Sequence, residues 1–183
     1  NRFDPIGLSS SAVALQGNPH PDLSILNLGN LPNSKLRTGL LIHDEDLDLS
    51  PVINGLKIES TIAVNNLDSV SPWSSAKSVH TFVNSLMEDV AKRYKDKIGT
   101  VKFTSNHNEI KSWYHENKIE QMVVAYAATG PNASLIKILI EQGLNIVQIT
   151  KDYDQTAWPH ATHGFFRFKE KIPALIKELG LNS

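Results

Sequence analysis

The chain has 183 residues, enough for about one ordinary domain, and its 40% hydrophobic and 20% charged residues are a folding composition rather than a disordered one. Lys plus Arg total 18 against 19 Asp plus Glu, a net charge of −1, so the chain as a whole is no strong nucleic-acid surface and only a local basic patch stays open. It contains no Cys, which excludes disulfides, thiolate chemistry and Cys-based zinc sites and fits a cytoplasmic protein; no apolar run approaches membrane-spanning length, and no signal peptide is visible in these residues.

Residues 1–36 differ in kind from the rest of the chain. The stretch NPHPDLSILNLGNLPNSK is rich in Pro, Asn, Gly and Ser and has no sustained period. It reads as an extended arm or linker, docked on the body through Leu26, Leu28 and Leu31. The chain begins with Asn1 rather than Met, which suggests a piece of a longer protein.

The body, residues 37–183, starts a repeating pattern. TGLLIHDED is a short apolar run that breaks into charge. STIAVNN, TVKFTSN, QMVVAYAATGP and NIVQITKD repeat the same plan, each β-rich and each ending in polar residues. Several are apolar on both faces, as strands of a covered parallel sheet are. Helical periods lie between them. From Ser78 to Lys95, the residues Val79, Phe82, Val83, Leu86, Met87, Val90, Ala91 and Tyr94 form one apolar stripe, with Ser78 as N-cap and Gly99 as stop. Asn108–Asn117 turns Ile110, Trp113 and Tyr114 inward. Asn132–Gln142 turns Leu135, Ile136, Leu139 and Ile140 inward and stops at Gly143. Ile172–Leu179 carries Pro173 in its first turn. This alternation predicts an α/β fold: a Rossmann-like, doubly wound sheet of about five parallel strands with helices on both faces.

In such a sheet, ligands gather beyond the carboxyl ends of the strands, where strand order reverses. The residues there are His43, Asp44 and Glu45; Asn65 and Asn66; Ser105 and Asn106; Thr129, Gly130 and Pro131; and Lys151 and Asp152. They form a polar rim without an evident nucleophile and base. ATGPNAS leads into a helix and is the one loop suited to an anion, but a simple Gly-Pro turn explains it as well. No G-x-G-x-x-G and no Walker loop occurs. The acids of HDEDLD, Asp44, Glu45, Asp46 and Asp48, lack EF-hand spacing and read as a solvated turn. His160 and His163 of HATH lack the Glu of a zinc helix and read as hydrogen-bonded side chains. Trp113, Tyr114, Tyr126 and Trp158 are candidates to stack on a planar ligand, though core packing is the commoner use of such residues.

The order of these features resembles the α/β domain of the DNA photolyase and cryptochrome superfamily. HDEDLDLSPV is similar to that family's strand end with an acidic-Leu-basic motif, SVHTFVNSLMEDVAKRY to its long helix, and GFFRFKEKIPALIKEL to its closing segment. WPHAT-GFF and GP resemble a bacterial photolyase-related flavoprotein group. The likeness runs from Thr38 to Leu181. Asp48 stands where the family has Arg, which puts that Arg's interdomain salt bridge in doubt. The resemblance implies a domain that supports an FAD-binding helical domain of the same parent, one that precedes it here. It also implies a pterin or deazaflavin antenna chromophore, held at His43, Asp44, Glu45, Asn65, Asn66, Thr129, Gly130, Pro131 and Trp158. FAD, contact with damaged DNA and any photo-lyase activity would belong to the parent, with no catalytic residue, metal or membrane contact in this segment. TAWPHATHGFFRF would then be a lid facing the partner domain, with Phe165, Phe166 and Phe168 as packing anchors. The rival readings are a stand-alone nucleotide-binding or signalling module of universal-stress or electron-transfer-flavoprotein type and, behind it, a small hydrolase acting through His160, His163 or the HDEDLD acids.

Overall fold

The computed structural model describes residues 31–181, together with residues 13, 17 and 26. It contains one parallel sheet of five strands: β1 (Thr38–His43), β2 (Ile58–Val64), β3 (Val101–Thr104), β4 (Gln121–Ala125) and β5 (Ile146–Ile149), in the order β3-β2-β1-β4-β5. All five segments expected to be strands are strands. β1 and β4 are buried along their whole length, because they lie in the middle of the sheet with a layer on each face.

The two faces are filled by different connections. Leu40, Ile42, Ala63 and Val123 point to one face and meet Leu49, Val52 and Ile53 of the β1–β2 crossover. Helix α1 (Lys77–Arg93) and the single turn α2 (Lys95–Ile98) cover the same face through Met87, Val90 and Ile98. Leu41, Ile62, Val64, Met122 and Val124 point the other way, to α3 (His107–Glu116) and α4 (Pro131–Glu141). Connections before β3 thus lie on one face and those after it on the other. That is the arrangement of a chain wound outward from β1 in two directions, and it puts the topological switch between β1 and β4. The fold is Rossmann-like.

Local signals explain most element ends. Asn106 caps α3, its side chain accepting a hydrogen bond from the Asn108 N–H. Pro131 occupies the first turn of α4. Gly99 and Gly143 adopt φ of +69° and +90° just after α2 and α4. Gly39 is set by packing instead. A Cβ there would lie 2.8 Å from Trp113 Cη2, so only Gly lets α3 approach β1 this closely.

Some expectations are corrected. Ser78 does not cap α1; the cap position is Ala76, whose side chain offers no acceptor. Within the α1 stripe only Met87 and Val90 are buried, and Val79, Phe82 and Leu86 face solvent. Ile140 of α4 is likewise exposed. Leu31 does not dock, being 91% exposed, Leu26 is half-buried, and Leu28 lies outside the described residues. The chain enters the body through polar contacts instead: the Asn33 N–H donates to Gln121 Oε1, and Gln121 Nε2 donates back to the Asn33 carbonyl.

The segment after β5 forms three short helices: α5 (Asp152–Ala157), α6 (Phe165–Lys169) and α7 (Ile172–Glu178). Ala157 and Leu175 are its buried residues, and Phe168 is half-buried. Phe165 and Phe166 are not anchors. They are 64% and 81% exposed and pack edge to face on each other. In a five-residue helix two consecutive side chains leave in directions about 100° apart, so both cannot turn to one core. Among the described residues, no helix is long and apolar enough to cross a membrane.

Candidate functional site

The carboxyl ends of β1 and β4 meet at the switch point, and a polar chain crosses it. Asn132, in the first turn of α4, donates from Nδ2 to Asp44 Oδ1 at 3.0 Å. Asn66, just past β2, donates from Nδ2 to Asn132 Oδ1 at 3.2 Å. His107, at the start of α3, meets Asn66 Oδ1 with Nε2 at 2.9 Å. The direction of this chain follows from one end. An ionised Asp44 only accepts, so Asn132 must turn its amide N–H toward it. That leaves the Asn132 oxygen for Asn66, and the Asn66 oxygen for His107, whose Nε2 must therefore carry a hydrogen. Asn66 and Asn132 are 4% and 3% exposed. Buried amides are tolerated because each finds partners at both ends.

The rest of the rim is arranged around this chain. Glu45 is exposed, and its Oε1 lies 3.6 Å from where a Cβ on Gly130 would sit. Gly130 has φ +157° and ψ −171°, a conformation open chiefly to glycine, and leads directly into α4. Tyr126, the first residue after β4, packs edge to face against Trp158, with ring centroids 6.5 Å apart. Thr129 is exposed and Pro131 half-buried beside them. The arrangement offers the exposed carboxylate of Glu45 and an aromatic pair at the ends of neighbouring strands, while the Asn66 and Asn132 amides are spent on each other, Asp44 and His107. It holds no nucleophile paired with a base.

Asp46 and Asp48 are drawn away from that rim. Lys151, at the end of β5, donates to Asp46 Oδ1 at 2.9 Å and lies 3.8 Å from Asp48 Oδ2. The hydrogen bond to Asp46 raises the Lys151 pKa, against the opposing effect of burial. Burial also pushes the Asp48 carboxyl up. The Ser50 N–H and the Tyr94 hydroxyl, with Lys151, outweigh it and hold Asp48 below its ordinary value. Of the acids of HDEDLD, Asp44 thus pairs with Asn132 while Asp46 and Asp48 share Lys151, and no group of three His, Cys, Asp or Glu is placed to hold a metal ion among the described residues. Asp48 thus ties the β1–β2 crossover to the end of α1 and to β5.

Of the residues expected at the site, Asp44, Glu45, Asn66, Thr129, Gly130, Pro131 and Trp158 lie around this rim, which draws on the ends of β1, β2 and β4 and the segment after β5. His43 is not available to a ligand. It is buried, its Nδ1 accepts from the Glu45 N–H, and its Nε2 lies 3.0 Å from the Ala125 carbonyl, so both ring nitrogens are used to seam β1 to β4. Asn65 belongs to a different place, donating to Asn84 of α1 at 2.8 Å. Asn106 is the α3 cap, and Ser105 is exposed on the far side of the sheet from β4. His160 and His163 are exposed, and His163 Nδ1 pairs with the adjacent Thr162 hydroxyl. His107 and Asn132 join the site without being expected there. Their signal in the sequence is the run of Asn residues at strand ends and helix starts, since amides placed there must find partners once covered.

The chain matches no family model, no curated protein and no solved structure.

Proposed function

We propose that the chain is the α/β domain of a photolyase- or cryptochrome-like flavoprotein. It supports an FAD-binding helical domain and holds a planar antenna chromophore, a pterin or deazaflavin, at the carboxyl edge of β1 and β4. The observation that supports this most directly is the rim itself, with Asp44 and Glu45 past the end of β1 and the Tyr126–Trp158 pair past the end of β4, the neighbouring strand. A pterin edge presents adjacent amino and ring N–H donors, which a carboxylate accepts together, while its faces pack on aromatic rings. The test begins with the absorbance spectrum of the parent protein and of this chain alone. Flavin bands in the parent that are lost in the chain, with a near-ultraviolet or blue band retained, are expected. A parent without any chromophore overturns the proposal.

A stand-alone nucleotide-binding module is the second reading. It is favoured by α4, whose N-cap residue is Gly130, so no side chain caps the helix N-terminus. The Asp44 carboxylate at the same place opposes a phosphate, which ranks this reading second. Calorimetric binding of AMP or ATP to the chain decides for it, and no heat of binding decides against it.

A further inference from the structure

The sheet is closed differently at its two ends. β3 is the last strand in the sheet order, so its outer backbone groups have no strand partner. The Thr104 carbonyl accepts from the Asn65 N–H on the inner side. Alternation along a parallel ladder then turns the N–H and C=O of Phe103 outward. On the face that carries α1, helix and edge strand stand apart and leave a groove in two sections that share Glu88 and Phe103. The section at the carboxyl end of β3 has a volume of about 400 Å³ and includes Asn65, Asp68, His80 and Asn84. The section toward the amino end has about 380 Å³ and includes Ala91, Lys92, Lys95 and Val101. Phe103 separates them and is 46% exposed.

The charges along this groove are ordered. Asp68 lies at one end, with His80 3.5 Å from it, Glu88 lies where the two sections meet, beside Phe103, and Lys92 and Lys95 lie at the other end. Among the described residues, Glu88, Lys92 and Lys95 take part in no ion pair. A free strand edge flanked by a helix, with an apolar side chain in the middle and opposite charges at the ends, is what an extended peptide needs in order to add as a strand.

We propose that this groove binds an extended segment of a protein partner by strand addition to β3. The partner carries a Lys or Arg toward Glu88 and Asp68, an apolar side chain against Phe103, and an acid toward Lys92 and Lys95. The four residues of β3 limit the paired stretch to about 13 Å, or roughly four to six partner residues. The proposal is independent of the chromophore reading, because the groove lies at the opposite end of the sheet from Tyr126 and Trp158 and can be occupied with that rim empty.

The test uses the full chain and a labelled hexapeptide of alternating valine and threonine, with lysine at one end and glutamate at the other, made in both directions. One direction is expected to bind, measured by fluorescence polarisation, and to slow hydrogen exchange at the Phe103 amide. Glu88→Lys is expected to weaken it about tenfold or more, and a peptide with its lysine changed to glutamate is expected to recover binding to that variant. Glu88 is exposed, so the variant keeps the fold, and Phe103→Ala provides a second, uncharged loss. Three results overturn the proposal. They are no binding at millimolar peptide in either direction, equal binding by Glu88→Lys, and a Phe103 amide already protected by self-association of the free chain.

Discussion

Helices α1 and α4 have similar apolar periods and opposite fates. α4 has 11 residues and buries Leu135, Ile136 and Leu139, together with Asn132. α1 has 17 residues and buries only Met87 and Val90. The difference lies in what each helix has beneath it. α4 joins β4 to β5 on the face where Met122 and Val124 of the fully buried β4 meet it. α1 joins β2 to β3, and β3 is a four-residue edge strand whose own side chains are half-buried or exposed. The flank of α1 beside β3 carries His80, Asn84, Glu88 and Ala91, and the apolar Val79, Phe82 and Leu86 lie on the flank turned away from that strand. The two halves of the carboxyl edge therefore serve different ends. Toward β1 and β4 the Asn66 and Asn132 amides are covered and paired at both ends, and toward β3 the polar groups line an open groove.

The largest expected contrast sets these two helices directly against each other. Ile136→Ala in α4 removes a fully buried side chain and is expected to cost about 2–5 kcal/mol by urea unfolding. Phe82→Ala in α1 removes a larger side chain that is 62% exposed and is expected to stay within about 0.5 kcal/mol of the parent chain. Equal losses at the two sites would mean that α1 is covered in solution by something the isolated chain supplies.

That pair also shows how far the sequence is legible. Strand positions can be read because each run is apolar and ends abruptly in polar residues, a signal set by burial on both faces. Ile110, Trp113 and Tyr114 of α3 can be read for the same reason, as they lie where sheet is present beneath the helix. Periodicity marks which face of a helix is apolar, and it does not say how much of that face is covered, so it turns Val79, Phe82 and Leu86 inward where the structure leaves them out. At the rim, Asp44, Glu45 and Asn66 are legible from strand ends alone. His43 misleads because a residue at the end of a strand can point into the core or out of it, and its pairing with the Ala125 carbonyl is a long-range contact. His107 and Asn132 depend on which helix starts converge, which only strand order decides. The five- and six-residue helices α6 and α5 are too short for any period to show.

Next in size is the polar chain at the switch point. Asn132→Ala removes the acceptor of Asn66 Nδ2 and the donor to Asp44 Oδ1, leaving Asn66 only its bond with His107, and is expected to cost about 1–3 kcal/mol. Asn84→Ala removes an amide of the open groove, where water replaces it, and is expected to cost less than about 0.5 kcal/mol. A cost at Asn84 as large as that at Asn132 would erase the distinction between a closed rim and an open groove.

The ion cluster that ties β5 to the crossover has a smaller, pH-dependent effect. Asp48 is held below its ordinary value of 3.8, so its contribution is present above that pH and is lost as pH falls through the lowered folded value. Lys151 is held above 10.5, so its contribution is present below that pH and is lost as pH rises through the raised folded value. Between these limits both act. Lys151→Ala is expected to cost about 1 kcal/mol at neutral pH and to flatten the decline of stability at the alkaline end. An unchanged alkaline limb in a pH series of urea midpoints would show that Lys151 carries none of it.

The smallest effect should have the opposite sign. Thr150, just past β5, is 7% exposed, and its hydroxyl is the buried side-chain polar group left without a hydrogen-bond partner among the described residues. Every amide of the switch-point chain gains from its partners, whereas this hydroxyl is desolvated with none. Thr150→Val keeps the branched shape that suits the end of a strand and removes the unpaired group. It is expected to raise stability by up to about 1 kcal/mol, or about 2–4 °C in the thermal midpoint of a chain this size. A lower midpoint would mean that the Thr150 hydroxyl is paired in solution, and would extend the closed, paired half of the edge from β4 to β5.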